Sequence, residues 1–379
     1  MASASSLERY RSEFPIFRRV RYLNSCSLGA LSTRTRLALA EYLDQWDGRG
    51  AAAWYDSWLP AVERLRQGYA RVIGAEPTSV SLHASVSSAL SAVGSALDYG
   101  SRPKVVTTSL DFPTVAYQWL AKTATGVEVV IVESPDATTV PLERLAEAID
   151  ERTALVATSH VFYTSGAIQD LAALAAITHA QGALLLADGY QAAGQVCVDV
   201  GALGVDFYCG GGLKWLLGGS GIAFLYVRPE LHSVLTPGVA GWFGHAAPFR
   251  FDSHTLERAA DARRFDLGTP SMAAIHAQLA GLSLIEEIGV AAIERTTRTL
   301  AEDLIALSCA HGLRPRVADR SEQRSGIVMI PRRDARSDVA RLAECGFIVD
   351  ARLGHVRVSP YFYNLPEDHR QLVEQLTRE

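Results

Sequence analysis

Seven short apolar segments, separated by stretches with a helical pattern, occupy residues 79–227 and constrain the fold more than any other feature of the sequence. Segments of this length and composition predict β-strands. The predicted strands are Ser79–His83, Val105–Thr108, Val127–Val132, Ala154–Thr158, Ala183–Ala187, Val205–Tyr208 and Ile222–Val227. Because strands that alternate with helices pack into one wound sheet, the pattern predicts an α/β fold with a largely parallel sheet, and it is not typical of a β-sandwich.

The segments on either side of this region predict further helices and a smaller unit. We expect two amphipathic helices, one from about Thr33 and one over Leu59–Ile73, and a third helix over Met272–Ile288. With 379 residues, the chain can bury one large core and a smaller one. The predicted units are an N-terminal arm and turn (1–32), a large domain (33–270) and a smaller α+β C-terminal domain (271–379).

Composition excludes several classes of function. The formal net charge is -5, and the arginine pairs are scattered along the chain, so no nucleic-acid surface is predicted. No apolar stretch has the length of a membrane span, and the first residues lack the apolar core of a signal peptide, so we expect a soluble, cytoplasmic protein that does not bind membranes. The five cysteines show no CxxC spacing, so neither a disulfide framework nor a metal site is predicted.

Two residues that follow the fifth and sixth predicted strands point to a chemical function. The apolar run Leu184–Ala187 ends in Asp188, and the next strand runs into the glycine cluster Gly210–Gly212, which is followed by Lys214. Open α/β sheets bind ligands at the carboxyl ends of their strands, where both residues are expected. A lysine that forms a Schiff base and an acid that keeps a pyridinium nitrogen protonated are what pyridoxal 5'-phosphate (PLP) requires. The alternative is a turn-capping aspartate and a solvated lysine.

Residues after the first two strands could bind the rest of such a cofactor. Ser85, Val86 and Ser87 begin a helix, and the N–H groups and hydroxyls at a helix N-terminus bind phosphate. Serine is equally an ordinary N-cap. Phe112 follows the second strand, where its ring could stack on a pyridine ring or pack in the core.

Two further residues have a functional and a structural interpretation. His160 follows Ser159 at the end of the fourth strand, where it could act directly or be a hydrogen-bonded structural histidine. Arg357 lies in an apolar strand, where an unpaired guanidinium would be costly. It therefore needs a partner, which is either a protein carboxylate or the carboxylate of an amino-acid substrate.

Together these positions resemble the fold-type-I PLP enzymes of the class V aminotransferase group, and they are most similar to its kynureninase and cysteine desulfurase branch. The similarity extends from Tyr22 to the last helix. The motifs that carry it are Asn24-Ser-Cys-Ser-Leu-Gly29, Asp111-Phe-Pro-Thr114, Asp188-Gly-Tyr-Gln191, Lys214-Trp-Leu, Gly241-Trp-Phe-Gly-His245, Gly268-Thr-Pro270 and Arg357-Val-Ser-Pro-Tyr-Phe-Tyr-Asn364. The resemblance implies the PLP-dependent transferase (aspartate aminotransferase-like) fold, with a seven-stranded sheet in the large, PLP-binding domain.

The resemblance also implies residue roles. Lys214 is the Schiff-base lysine and Asp188 the pyridinium partner, and no metal is involved. Arg357 and Asn24 bind a small amino-acid substrate, and Arg357 does so through the α-carboxylate. Trp242 and Thr269 complete the phosphate pocket of a neighbouring subunit, which implies a homodimer with shared active sites. The other implied cofactor contacts are Ser85, Val86, Ser87, Phe112, Thr114, Ser159, His160 and Gln191.

Departures from the two branches suggest which reaction to expect. Kynureninases carry a histidine where Gln191 stands and a tyrosine where Leu213 stands, whereas desulfurases need a mobile cysteine just before the carboxylate arginine, and residues 347–356 contain none. We therefore expect a PLP-dependent lyase that eliminates a thiol from a cysteine-type substrate. The alternatives are Cβ–Cγ hydrolysis of the kynureninase type, transamination, decarboxylation, a role in secondary metabolism on a large substrate, and a non-catalytic PLP-fold dimer that binds or regulates.

Overall fold

The computed structural model describes residues 7–378 and contains a central sheet flanked by helices. The described strands are β1 (Arg21–Tyr22), β2 (Val80–His83), β3 (Lys104–Thr108), β4 (Glu128–Val132), β5 (Thr153–Ser159), β6 (Leu184–Asp188), β7 (Phe207–Gly211), β8 (Ala223–Val227), β9 (Val328–Pro331), β10 (Phe347–Ile348), β11 (Asp350–Arg352) and β12 (His355–Val358). The described α-helices are α1 (Thr33–Arg49), α2 (Leu59–Ile73), α3 (Val86–Ala96), α4 (Pro113–Leu120), α5 (Leu142–Ala148), α6 (Leu171–Ala180), α7 (Val200–Leu203), α8 (Met272–Ile288), α9 (Val290–Ala310), α10 (Ala335–Glu344) and α11 (Pro366–Thr377).

The predicted α/β fold with a seven-stranded, mostly parallel sheet is confirmed. The strand order is β2-β8-β7-β6-β5-β3-β4, and β8 is antiparallel to both of its neighbours. Successive residues of a buried strand point to opposite faces, so Leu185 and Leu186 belong to two different apolar cores. Because β2, β3, β5, β6 and β7 run in the same direction, their carboxyl ends lie at one edge of the sheet.

The C-terminal part contains a second, three-stranded antiparallel sheet of order β11-β12-β9. The short strand β1 pairs in parallel with β10, and Asn24 forms a bridge with Ser359. The turn after β1 is thereby attached to the C-terminal sheet. The division at residues 32 and 270 stays a prediction. Residues 1–6 of the predicted arm lie outside the described residues. Among residues 7–378, no helix has the length and apolarity that a membrane span requires.

The first helix exposes its apolar side chains, although the sequence predicts an amphipathic, structural element. It packs against α8, yet Thr35 is its only buried residue. Leu37, Leu43 and Trp46 are more than half exposed. This difference arises because α1 packs mainly on α8, and no other part of residues 7–378 covers its outer face.

A buried ion pair joins α2 to the segment that follows the sheet. Arg66 Nη2 lies 2.9 Å from Asp266 Oδ2, and the two side chains are only 3% and 5% exposed. Asp266 Oδ1 accepts a hydrogen bond from the backbone N–H of Leu82 at 2.7 Å, and Arg66 Nη1 donates to the carbonyl of Val80 at 2.6 Å. Both charges therefore stabilise the edge strand β2.

Removal of one member of this pair should destabilise the protein strongly, because the remaining charge stays buried without its partner. We expect Asp266→Ala to lower the free energy of unfolding by about 3–5 kcal/mol in urea denaturation. The matched control is Glu286→Ala, which removes the partner of Arg71 in an exposed pair, and it should cost about 1 kcal/mol or less. Equal losses for the two variants would contradict this interpretation.

Candidate active site

A cavity of about 320 Å³ opens at the carboxyl edge of the sheet. Most of the predicted cofactor residues line it, whereas His160, Trp242 and Thr269 do not. The lining residues are Ala84, Ser85, Val86, Ser87, Phe112, Thr114, Ser159, Val161, Tyr163, Asp188, Tyr190, Gln191, Leu213, Lys214, Ser220, Gly221 and Ile222. The fold thus brings together side chains from five loops.

Lys214 is the amine of this cavity. Burial lowers its pKa to about 8, although the Cys26 thiol and the Asp188 carboxylate act in the opposite direction. Its Nζ lies 4.7 Å from the ring centroid of Tyr190 and 5.7 Å from that of Phe112. A pKa near 8 leaves a useful fraction of neutral, nucleophilic amine at physiological pH.

Asp188 ends β6 and is the carboxylate of the cavity. Its Oδ1 accepts a hydrogen bond from the backbone N–H of Tyr190 at 2.8 Å, and among residues 7–378 no group donates to Oδ2. Burial raises its pKa to about 6, although Tyr190 and Lys214 oppose this shift. The free oxygen can accept an N–H from a ligand, and such a donor would restore the ionised form.

The predicted phosphate turn forms the N-terminus of α3. Ser85 caps the helix, and its Oγ accepts from the backbone N–H of Ser88 at 3.2 Å. Ser87 Oγ lies 2.8 Å from Thr114 Oγ1, and both residues line the cavity. Ser85 therefore is an N-cap as well as a lining residue, and the hydroxyls and N–H groups lie where the helix dipole favours an anion.

Asp111 begins the motif Asp111-Phe-Pro-Thr114, but no role for it was predicted from the sequence. Its Oδ2 accepts from the backbone N–H of Thr108 at 2.9 Å, and its Oδ1 accepts from that of Ser159 at 2.6 Å. It therefore joins the ends of β3 and β5 and positions the loop that carries Phe112. Burial raises its pKa despite these hydrogen bonds. A carboxylate three residues after the end of a strand was the signal that could have identified it.

Gln191 attaches the turn that follows β1 to the site. Its Nε2 donates to the carbonyl of Cys26 at 3.0 Å, and its Oε1 accepts from Trp215 Nε1 at 2.8 Å. On the same turn, Gly29 donates its N–H to Leu213 at 2.9 Å, and a Cβ at Gly29 would lie 2.2 Å from the carbonyl oxygen of Lys214. Only glycine permits this approach to the lysine.

Four predicted contact residues, which are His160, Trp242, Thr269 and Asn24, lie outside the cavity lining. His160 is buried, its Nδ1 lies 3.0 Å from the Tyr208 hydroxyl, and burial lowers its pKa to about 4, so the ring is neutral. Trp242 Nε1 donates to Thr269 Oγ1 at 3.3 Å on a separate surface. The predicted substrate residue Asn24 also lies outside the lining, where its Oδ1 is 3.8 Å from Cys26 Sγ.

Arg357 is buried behind the cavity rather than in its lining. Its Nη2 lies 2.8 Å from Asp350 Oδ2 and 2.7 Å from Ser27 Oγ, and its Nη1 donates to the carbonyl of Tyr163 at 3.1 Å. Tyr163 itself lines the cavity, and its ring packs edge-on against Phe112. The structure therefore supplies the protein carboxylate that was one of the two predicted partners. Neither Tyr163 nor Asp350 was predicted from the sequence.

These residues fit PLP. The donor set contains one partly neutral amine, one carboxylate with a free oxygen, an aromatic ring beside the amine and a helix N-terminus with hydroxyls. When bound, PLP would supply an electron-withdrawing ring that stabilises a carbanion at the substrate Cα. Among residues 7–378, no group of three or more His, Cys, Asp or Glu side chains is arranged to hold a metal ion.

The lowered pKa of Lys214 predicts how PLP uptake depends on pH. Only the neutral amine attacks an aldehyde, so the uptake rate of the cofactor-free protein should rise about tenfold between pH 7 and 9 and level off above the pKa of about 8. Stopped-flow absorption would measure this. In Asp188→Asn, the loss of a charge that favours the ammonium form should move the midpoint to lower pH. A rate that rises steadily to pH 10 would contradict the assignment.

Comparisons with known proteins identify the family of this chain. The family model described as aminotransferase class-V matches residues 31–369. An uncharacterized aminotransferase of Bacillus subtilis (strain 168) is 36% identical over 372 residues, which cover 97% of each chain. A kynureninase of Deinococcus radiodurans is 28% identical and covers 91% of this chain and 86% of its own.

Solved structures with the same fold include two proteins that act on sulfur compounds. A cysteine desulfurase of Thermococcus onnurineus NA1 superposes with a TM-score of 0.87 and 22% identity, and covers 98% of this chain and 97% of its own. The cystine C–S lyase C-DES, in complex with its reaction product cysteine persulfide, superposes with a TM-score of 0.88 and 20% identity. The superposition covers 96% of this chain and 99% of the C-DES chain. With the family match over residues 31–369, the chain belongs to the class V aminotransferase family of PLP-dependent enzymes.

Proposed function

We propose that the protein is a lyase that cleaves the Cβ–S bond of a cysteine-type amino acid by β-elimination and releases a thiol. The observation that carries this proposal is a cavity that contains the Lys214 amine and the Asp188 carboxylate, whereas its lining, among residues 7–378, includes no cysteine. A desulfurase reaction needs a cysteine to accept sulfur, whereas an elimination needs only a base and a leaving group.

The segment that precedes Arg357 supports elimination over sulfur transfer. Residues 347–358 form β10 and the hairpin of β11 and β12, and Asp350 of β11 lies directly opposite Arg357 of β12. Cys345 precedes this hairpin and is exposed, with its Sγ 3.7 Å from Gln375 Oε1. The residue of the hairpin that lies opposite Arg357 is thus a carboxylate, and residues 347–358 contain no cysteine that could accept sulfur.

Each residue has one task in the proposed reaction. Arg357 holds the α-carboxylate of the substrate. Asp188 would accept a hydrogen bond from the pyridinium N–H of the bound cofactor and stabilise the positive charge there. Lys214 removes the proton from the substrate Cα, which its low pKa permits near neutral pH. Phe112 and Tyr190 flank the amine, and their rings limit its access to water.

The bonds and electrons balance without an oxidant or reductant. The Cα–H proton moves to Lys214 Nζ, the electron pair left at Cα becomes the Cα–Cβ double bond, and the thiolate departs with the electrons of the Cβ–S bond. The lysine ammonium can return its proton to the thiolate. Once free in water, the aminoacrylate product hydrolyses to pyruvate and ammonia.

Incubation of the PLP-loaded protein with L-cystine and with S-substituted cysteines should yield pyruvate, ammonia and a thiol or persulfide in equal amounts. Lys214→Ala should lower this rate on the order of a thousandfold or more, because it removes the base. The matched control is Lys122→Ala, which makes the same substitution at a lysine outside the cavity lining. Turnover without pyruvate from every sulfur substrate would refute the C–S assignment.

Cβ–Cγ hydrolysis is the second candidate, because kynureninases are among the relatives and Phe112 and Tyr163 present aromatic surface to the cavity. It requires a water and an aryl-ketone substrate. The same assay distinguishes it, since L-kynurenine would then give alanine and an aromatic acid in place of pyruvate.

We further propose that the protein works as a homodimer in which each subunit completes the site of the other. Trp242 and Thr269 lie on a surface with Phe249 and Phe251, and Phe251 is 74% exposed. Tyr55 borders the same surface and is 75% exposed. Exposed aromatic clusters mark interaction sites, and a second copy would cover this one as well as the outer face of α1.

Sedimentation should show a species of twice the 40.9 kDa chain mass. Lys214→Ala and a Trp242→Ala/Thr269→Val variant should each be inactive, and dissociating and reassociating an equal mixture should restore about a quarter of the wild-type activity, since half of the dimers then contain one intact site. A monomer, or a mixture no more active than its parents, would contradict shared sites.

A further inference from the structure

The Arg357 guanidinium has no pair of adjacent nitrogens that is free to bind a substrate carboxylate. Its Nη2 donates to Ser27 Oγ at 2.7 Å and to Asp350 Oδ2 at 2.8 Å, which uses both protons of that nitrogen. Its Nη1 gives one proton to the carbonyl of Tyr163, and its Nε is buried without a hydrogen-bond partner among the described residues. The side chain is 3% exposed.

This arrangement restricts how a carboxylate can bind. A fork-like grip uses two adjacent nitrogens, either Nε with Nη2 or Nη1 with Nη2. Both pairs include Nη2, whose protons are already used. A substrate α-carboxylate can therefore take the bidentate position on Arg357 only if Ser27 or Asp350 leaves it.

Ser27 Oγ also donates to Asp350 Oδ2 at 3.2 Å, and of these two groups Asp350 is the one with a further charged partner, Arg352. Its Oδ1 accepts from Arg352 Nη1 at 3.0 Å and from the backbone N–H of Ala351 at 2.8 Å, so it remains hydrogen-bonded after it releases Arg357. Asp350 is 19% exposed and Arg352 is 47% exposed, so both can move toward solvent. Asp350 also lies opposite Arg357 across the hairpin, which keeps it close by.

We propose that Asp350 is a specificity-determining latch, which occupies Arg357 in the free enzyme and is displaced toward Arg352 when a substrate carboxylate binds. The inference rests on the proposed role of Arg357 as the receptor for the α-carboxylate. The latch neutralises a buried cation while the site is empty. Because the latch must be displaced, only a ligand whose carboxylate competes with Asp350 for Arg357 is bound tightly.

The test compares L-alanine with L-alaninol, because both carry the amine and the methyl group but only L-alanine carries a carboxylate. Neither has a leaving group at Cβ, so no elimination accompanies binding, which is measured by calorimetry on the PLP-loaded protein. In Asp350→Asn, the affinity for L-alanine should rise on the order of tenfold, the size of one charge-assisted hydrogen bond, and that for L-alaninol should stay within about twofold.

A second variant keeps the test decisive if Asp350→Asn does not fold. Arg352→Gln changes a half-exposed side chain and removes the alternative partner of Asp350, so it should weaken L-alanine binding about threefold and leave L-alaninol unchanged. In the double variant, this weakening should be much smaller, since no latch remains to be displaced. A merely structural pair would give no increase in Asp350→Asn.

Different results would contradict the Asp350 latch and the proposed role of Arg357. If Arg357→Gln leaves the preference for L-alanine over L-alaninol intact, Arg357 is not the carboxylate receptor. If that preference is lost in Arg357→Gln but Asp350→Asn binds L-alanine no more tightly than wild type, the receptor is correct and the latch is wrong. Failure of C–S cleavage appears separately, in the pyruvate assay.

Discussion

Burial of Lys214 beside Asp188 is the interaction on which the site depends. Water is largely excluded from both groups, so the amine becomes easier to deprotonate and the carboxyl harder to ionise, with pKa values near 8 and 6. Each charge partly stabilises the other, but burial outweighs this attraction. A cofactor that forms a covalent bond with the amine and donates an N–H to the carboxylate would satisfy both groups at once.

Several polar side chains hold the loops that surround this pair. Asp111 joins the ends of two parallel strands, and Gln191 joins the turn after β1 to the loop that carries Lys214. That turn also reaches the C-terminal sheet through the Asn24 bridge to Ser359. The cavity is thus enclosed by segments that are distant in sequence, and a change at any of these anchors should alter the geometry of the others.

One positive charge around Arg357 is not neutralised before a substrate binds. Asp350 lies between Arg357 and Arg352, so the three side chains together carry one net positive charge, which one substrate carboxylate would neutralise. Asp350 is the residue of this hairpin that lies opposite Arg357, so it bears on both the reaction and the selectivity that we propose.

The sequence by itself determined the α/β class, the positions of the seven strands and of three helices, and the meeting of Asp188 and Lys214 at one sheet edge. These follow from local periodicity and from the rule that parallel strands end on the same side. Only the tertiary structure decided that Asp350 faces Arg357, that Gln191 bonds Cys26 and Trp215, that His160 lies outside the cavity lining and that α1 has an uncovered face. Those features depend on strand register and on contacts between residues far apart in the chain, which no local pattern encodes.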